Sequence, residues 1–470
     1  PPSWPATRDD RPAAPAGRAG AGTMAGVPRP STSPARATGA GTRAPTRPTP
    51  AGSPRPPLVD ALAPLTLAGW LLLYFDAFDL LVSFPGSVKW LLFPGWCLGV
   101  LLLTPVERLR SITVQWSLVA LVGVLATSLW WSIEPSMTFI RLRTDLPGLV
   151  LVLAVVATIP ATKAVRTVAT TSTAMAVWSL GISLALPVAR VAEVGSGTDV
   201  GSQFGFRGSF IHKNLLGMFL IFGLCAVLVQ PRGRDRTAAM AVHLVTILGT
   251  RSASVGGGLL IVGFVWLWIS AIERQNSPRK RAFFLTASAV SAATGLMLVL
   301  GFLPTLLDLY DKDVTFSGRT IIWTESIRTI QDRPLLGYGL GAVWHDEASP
   351  VTADLQARIG FPAAHAHNGA LDLVLQVGLV GLTMYTIAVL QTLRASARLT
   401  RRSETVAVGQ WGILTVASLL LMSVAENIFL GPFLGLVAVI WVVTTRAHRA
   451  ADPVASMRPS VRRRVPVTDG

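Results

Sequence analysis

Residues 361–368, FPAAHAHN, place His365, His367 and Asn368 at the threshold of a long apolar run. Imidazole is the side chain that changes charge near neutral pH, so three roles are open for this pair. With His345, Asp346 and Glu347 of the upstream WHDE it could ligate a metal, although an H-x-H pair plus a remote histidine is a thin ligand set. His367 could cap the helix that follows. It could also act as a general base, and this role is favoured, because the positive end of a helix dipole disfavours imidazolium and keeps the ring able to accept a proton. Arginines stand on other connections between apolar runs: Arg207 in FRGSFIHKN, Arg251 in GTRSAS and Arg319 in SGRTIIW. Lipid headgroups or snorkelling account for any one of them. Together with the histidines they suggest one anionic ligand, provided that the fold makes them converge.

The elements that must position these groups are read from composition. The chain has 470 residues, of which 51% are hydrophobic and 14% charged, which is too little polar surface for a soluble globule of that length. The class is an all-α, polytopic transmembrane bundle. The formal charge of +16 fits topology and lipid phosphates rather than nucleic acid, for which no polar binding module is visible. Cys97 and Cys225 sit inside apolar runs and read as small buried hydrophobes. Residues 1–57, rich in Pro, Ala, Thr, Arg and Gly, are expected to be a disordered basic cytoplasmic tail. Residues 58–450 form the membrane domain, and 451–470 are a second basic tail.

Apolar runs near 60–83, 88–104, 112–132, 145–161, 167–189, 212–230, 237–250, 255–272, 282–305, 368–392, 405–425 and 429–446 are candidate spans. Their number is about ten to twelve, at roughly 20 residues per crossing. TPVERLR, ATKAVR, QPRGRDR, ERQNSPRKR and RASARLTRR fall at alternate connections, which makes them cytoplasmic by the positive-inside rule. Both termini then lie inside, in the plasma membrane or inner membrane of the cell. Residues 304–367 form a large extracytoplasmic loop, too long to be a simple connector. Ser349 in that loop and Ser396 between the tenth and eleventh spans mark the two sides.

Within the loop, SGRTIIWTESIRTIQDRP predicts an amphipathic helix on the membrane surface. Ser317 would be its N-cap, Ile321, Ile322, Trp323, Ile327 and Ile330 its apolar stripe, and Pro334 its stop. PLLGYGLG follows with glycines at 337, 339 and 341. It lacks the strand and the helix-opening glycine of a dinucleotide fingerprint and reads as a tight turn near a ligand.

FRGSFIHKN, TRSAS, SGRTIIWTESIRTIQDRPLLGYGLG and HAHNGALDLVLQVGLVGL, in that order over roughly residues 200–390, resemble the O-antigen ligase and polysaccharide polymerase-like membrane family. The resemblance implies transfer or polymerisation of a glycan from an undecaprenyl-diphosphate-linked donor to a lipid, protein or glycan acceptor, without a cofactor. Other polysaccharide-assembly proteins would be partners. It implies that His367 is the catalytic base and that Arg207, Arg319 and, less directly, Arg251 bind the diphosphate. Lys213, Asn214, His365, Asn368 and Asp372 support the site, with no metal. Position 376 departs from the family: Glu is common nine residues after the histidine, and this chain has Gln376. Asp372 is the nearest substitute carboxylate. Glu426 and Asn427 read either as an acceptor path or as a satisfied interhelical pair.

The chemistry fits these residue types on its own terms. A diphosphate-linked sugar carries a good leaving group, so the protein must neutralise phosphate charge and deprotonate a hydroxyl; arginine and histidine do these two things. The first rival is a small-anion transporter using Asp76, Asp79 and Asp372 as a pathway. The second is a non-catalytic scaffold for envelope assembly.

Overall fold

The computed structural model describes residues 58–451 apart from 83–84, 111, 113, 191–203, 276, 289, 292–317 and 345–348. The expected tails, most of the 282–305 run, the start of the large loop, Ser317 and the WHDE histidine and carboxylates therefore lie outside the described residues. Every regular element described is helical, beside one isolated bridge residue at Phe204. The helices are α1 (Val59–Tyr74), α2 (Phe93–Leu102, entered through a π-helical turn at Val88–Leu92), α3 (Val106–Arg110), α4 (Trp116–Thr127) and α5 (Pro135–Val156). There follow α6 (Ala161–Ala185), α7 (Lys213–Leu228), α8 (Arg234–Gly249), α9 (Ala253–Glu273), α10 (Arg319–Asp332), α11 (Pro350–Ile359), α12 (Gly369–Leu399), α13 (Val406–Met422) and α14 (Pro432–Ala451).

The sequence of each helix decides its depth. KNLLGMFLIFGLCAVL in α7 is apolar all round, and nearly every residue of that helix is buried, as such a pattern requires. Phe75 at the end of α1 meets Phe219 of α7 and Phe433 of α14 edge-on, with centroids 5.4 and 5.2 Å apart. These rings mark the core. On α9, by contrast, Leu260, Phe264 and Leu267 follow a helical spacing and are 76%, 67% and 69% exposed, a stripe suited to hydrocarbon.

Four helices are long and apolar enough to cross a membrane: α6, α9, α12 and α14. Val59–Tyr74, Val88–Leu102, Trp116–Trp130, Lys213–Leu228 and Val406–Met422 are shorter apolar helices. The expected run at 145–161 differs, while the short one at 237–250 appears as α8. α5 begins at Pro135, inside what reads as a connection, because proline at N1 starts a helix well, and it carries Arg141, Arg143 and Asp145. α8 spans only 16 residues.

The main departure from the expected pattern is inside α12. Val377 (φ −132°, ψ 15°) and Gly378 (φ 68°, ψ −173°) are not helical, so the run expected as one span is two helical segments. A break in hydrocarbon exposes backbone donors and acceptors that must be satisfied by protein. Residues 334–339 do this. Leu375 and Gln376 carbonyls accept from the N–H groups of Tyr338 (2.9 Å) and Gly339 (2.8 Å), while the N–H groups of Leu379 and Val380 donate to the carbonyls of Pro334 (2.8 Å) and Leu335 (3.2 Å). The PLLGYGLG segment is thus bound along its backbone. Its outer side is held by the α4–α5 junction: Ile133 N–H donates to the Tyr338 carbonyl at 3.0 Å, Thr138 Oγ1 to that of Leu340 at 2.9 Å and Trp131 Nε1 to that of Leu336 at 2.8 Å.

Around this ladder the loop builds a second apolar cluster: Ile322, Tyr338, Val343, Trp344, Leu355, Ile359, Ala363, Ala366 and Leu375. The expected helix exists as α10, but two features are corrected. Its N-cap is Gly318 in the left-handed region (φ 83°), with no side-chain cap bond. Its packed face is Ile322, Ser326 and Thr329, while Ile321 and Ile327 are 38% and 48% exposed. α10 packs on α11 and α12, because the glycine segment that follows is anchored in the break and draws the helix inward.

The break is open to test by substitution. Gly378 occupies a conformation essentially restricted to glycine, costing another residue about 1–3 kcal/mol, and a Cβ there would collide with the Leu335 carbonyl. Gly378→Ala should lower the melting temperature of the detergent-solubilised protein clearly. Gly256→Ala, where a Cβ meets nothing within 4 Å, should leave it unchanged or raise it slightly.

Candidate functional site

The site forms where the start of α12 meets α10, α7 and the turn between α13 and α14. Asn368 is the N-cap of α12; its side-chain oxygen accepts from Ala370 N–H and Leu371 N–H, each at 3.1 Å. Capping therefore belongs to Asn368 and leaves the His367 ring uncommitted. His367 lies one residue earlier with φ 48°, an uncommon conformation for a side chain of that size. The backbone of the preceding residue, Ala366, is gripped at both ends. Ala366 N–H donates to Asp372 Oδ1 at 3.1 Å, and the Ala366 carbonyl accepts from Trp323 Nε1 of α10 at 3.0 Å. His365 completes the hold: its Nδ1 accepts from His367 N–H at 3.2 Å, and its ring lies 4.1 Å from that of His367.

His367 Nδ1 is buried and has no hydrogen-bond partner among the described residues. Burial is the first cause that pushes its imidazolium down, to about 4, and the positive charge of nearby Arg319 adds to it. The neutrality expected from a helix dipole arises mainly from desolvation. The ring is thus unprotonated near pH 7.

Arg319 opens α10 and reaches Glu426, with Nη2 to Oε1 at 3.5 Å. Glu426 is 5% exposed. Its turn is docked onto the start of α12: Gly369 N–H donates to the Ser423 carbonyl at 2.8 Å and Asn368 Nδ2 to the Val424 carbonyl at 3.2 Å. His212 caps α7, where its Nδ1 accepts from Asn214 N–H at 3.1 Å. His212 and Glu426 are the site members that sequence reasoning missed or left open. The first was legible only as the residue before Lys213 and Asn214 at a helix start.

The other basic residues are placed differently. Arg207 is 4% exposed, and its Nε and Nη1 donate to the carbonyls of Val188 (3.0 Å) and Ile211 (3.2 Å). It fastens its own segment to the entry of α7. Lys213 is buried beneath Gly205, where an added Cβ would come 3.2 Å from its Cδ. Arg251 is exposed, has φ 48° and stacks over Phe204 with 4.9 Å from Cζ to the ring centroid. The structure does bring the two motifs together, since Phe206 N–H donates to the Gly249 carbonyl at 2.8 Å. Among the described residues no group of three or more His, Cys, Asp or Glu is arranged to hold a metal. Asp76, a residue of the transporter reading, is ion-paired with Lys89.

Gln376 and Asp372 are joined. Gln376 Nε2 donates to Asp372 Oδ2, and Gln376 Oε1 accepts from Gly341 N–H at 2.8 Å. Asp372 is fully buried and both of its oxygens are engaged.

Residues 237–386 match the family model described as O-antigen ligase. The chain carries an O-antigen ligase-like region. The Exopolysaccharide production protein ExoQ of Rhizobium meliloti (strain 1021) is 29% identical over 199 residues, covering 39% of this chain and 45% of that protein; the chain thus matches less than half the length of this relative. The ligase-like region includes Arg251, Arg319, His367, Asp372, Gln376 and the break in α12. Arg207, His212, Lys213, Asn214 and Glu426 lie beyond its ends, and of these His212 and Glu426 reach the site through the fold.

The buried imidazole gives the ligase-like region a pH dependence. The His367 pKa is about 4 when folded, against about 6.5 for a free imidazole, so the unfolded chain binds the proton more readily. Its contribution to stability is present above pH 6.5 and is lost as pH falls from 6.5 towards 4. His367→Gln should flatten that part of the melting-temperature profile in detergent. An unchanged profile would mean that His367 is not the buried, neutral ring described.

Proposed function

We propose that this protein is a glycosyltransferase that moves or polymerises a glycan from an undecaprenyl-diphosphate-linked donor to an acceptor hydroxyl, on the extracytoplasmic face. The observation that carries this reading is the neutral imidazole of His367, with an uncommitted Nδ1, beside the Arg319 guanidinium at the mouth of an apolar bundle. In the reaction the acceptor oxygen forms a bond to the anomeric carbon while the bond from that carbon to the phosphate oxygen breaks. The proton of the hydroxyl passes to His367, and the leaving lipid diphosphate keeps the electron pair. A single in-line displacement inverts the anomeric centre.

Arg319 suits the diphosphate because a planar guanidinium offers paired donors and a permanent charge, taking the place of a metal cation. Glu426 is its partner without donor; diphosphate oxygens would compete for the same nitrogens. Arg207 and Arg251 are assigned to the same ligand by resemblance, with Lys213 and Asn214 at the same end of α7. Arg207 contributes by holding the α7 entry in place. The role of ExoQ in exopolysaccharide production agrees with a glycan substrate.

Turnover of a lipid-diphosphate-linked glycan by purified protein in detergent tests the reading directly. His367→Ala should lose on the order of 10²–10⁴-fold in kcat, the worth of a general base. Arg319→Lys should lose about tenfold or more although the charge is kept. Full activity in both variants, or donor uptake into vesicles without glycan transfer, would sink it.

Sidedness is a separate test. Ser349 and Ser396 are buried, at 2% and 0% exposure, so neither reports access. Ala353 on α11 and Ser403 after α12 are exposed. Cysteine at 353 should react with an impermeant thiol reagent in intact cells, and cysteine at 403 only after the membrane is opened. The native Cys97 and Cys225 are buried and give little background. The opposite labelling would put His367 in the cytoplasm and remove the case for extracytoplasmic transfer.

A further inference from the structure

We propose that Asp372 and Gln376 form a positioning relay that ties the strained backbone of His367 to the glycine-rich segment lying in the break of α12. The inference rests on the glycosyl-transfer reading for its kinetic arm alone.

The polarity of the relay is fixed by its ends. A backbone N–H can only donate, so the Gly341 N–H requires an acceptor, and the atom of Gln376 facing it is the oxygen. The amide nitrogen of Gln376 then faces Asp372 Oδ2, and because an amide nitrogen can only donate, that oxygen accepts. The second oxygen of Asp372 accepts from Ala366 N–H, on the residue that precedes His367. One chain of hydrogen bonds thus runs from Gly341 through Gln376 and Asp372 to the backbone that sets the direction of the imidazole. All of it is buried: Asp372 is 0% and Gln376 6% exposed. A mismatched donor or acceptor there has no water to turn to and costs its full desolvation.

His367 needs such a hold. A non-glycine residue at φ 48° persists only where its surroundings over-determine it. Trp323 fixes the carbonyl of the preceding residue, Ala366, and Asp372 fixes the N–H of that residue. Gln376 therefore does not stand in for a catalytic carboxylate at position 376. It is the donor that a carboxylate at 372 demands.

The relay can be broken and then rebuilt with reversed polarity. In Asp372→Asn the new amide nitrogen faces the Gln376 amide nitrogen, and turning Gln376 over sets its nitrogen against the Gly341 N–H. In Gln376→Glu two carboxylates face each other. The double variant, Asp372→Asn with Gln376→Glu, exchanges the two groups. The amide oxygen at position 372 then accepts from Ala366 N–H. The amide nitrogen beside it donates to the carboxylate at position 376, whose other oxygen accepts from Gly341 N–H. Every bond of the relay is kept.

The double-variant cycle is run with two readouts on the full chain in detergent. The first is the rate at which diethyl pyrocarbonate modifies His367, followed by mass spectrometry of its peptide; this needs no activity. Each single variant should raise that rate by about fivefold or more, and the double variant should return to within about twofold of wild type. The second is glycan transfer, where each single variant should lower kcat about tenfold with donor KM within about twofold, and the double variant should recover most of it. Equal modification rates in all four proteins, or a double variant as damaged as the sum of its parts, would overturn the relay. If a single variant does not insert, the double variant decides: wild-type behaviour supports the pairing and its loss rejects it. Absence of glycan transfer by the wild type would reject the proposed function and leave the modification result standing.

Discussion

A helix that breaks inside an apolar bundle has to find partners for its freed backbone groups, and in this protein that requirement organises everything on one side of the fold. The discontinuity at Val377–Gly378 leaves two carbonyls and two N–H groups without intrahelical partners, and residues 334–339 supply all four bonds. Water is scarce in such surroundings and an unmet group there costs several kcal/mol. The glycine-rich segment is therefore held as firmly as a strand in a sheet. Whatever is attached to it is held too: α10 before it, with Arg319, and the cluster around Tyr338 and Trp344 after it.

Two kinds of order meet at His367. The deep bundle supplies rigid packing through the Phe75, Phe219 and Phe433 rings. The loop layer supplies direction, through Trp323 on the carbonyl of Ala366 and Asp372 on its N–H. The ring they present is kept neutral by burial and by the charge of Arg319. That is a useful combination for a base that must operate beside phosphate: protonation would be encouraged by the ligand's own charge, and desolvation with Arg319 opposes it. Glu426 keeps Arg319 from facing the apolar surroundings as a lone charge.

Much of this is legible in the sequence. Apolar runs, the Arg319-to-Asp332 helix and Asn368 with its threshold histidines follow from periodicity and residue type, and the ordered motifs point to the ligase-like family. What is not legible has a physical reason in each case. The break in α12 hides in LQVGLVGL because its stabilising partners are backbone atoms about forty residues upstream, which leave no side-chain signature beyond the glycines at 337, 339 and 341. Gln376 looks like a lost carboxylate because its role is set by the lone pairs of Asp372, one turn away. The inward face of α10 escapes the pattern since Ser326 and Thr329 are buried by tertiary contact, overriding a periodicity that favours the isoleucines. Arg207 reads as a ligand for phosphate, while the groups it donates to are the Val188 and Ile211 carbonyls on either side of it in the chain.

The order of synthesis gives the break a further significance. The segment that completes α12 precedes it in the chain, so residues 334–339 have left the ribosome before the helix they must pair with. α12 is therefore born next to its own missing backbone partners and need not wait for α13 or α14 to mask the gap. Of the segments that meet at His367, the turn at 423–427 arrives last, closing over an N-terminus already held by its own asparagine cap. Assembly of the site can thus proceed in the same direction as translation.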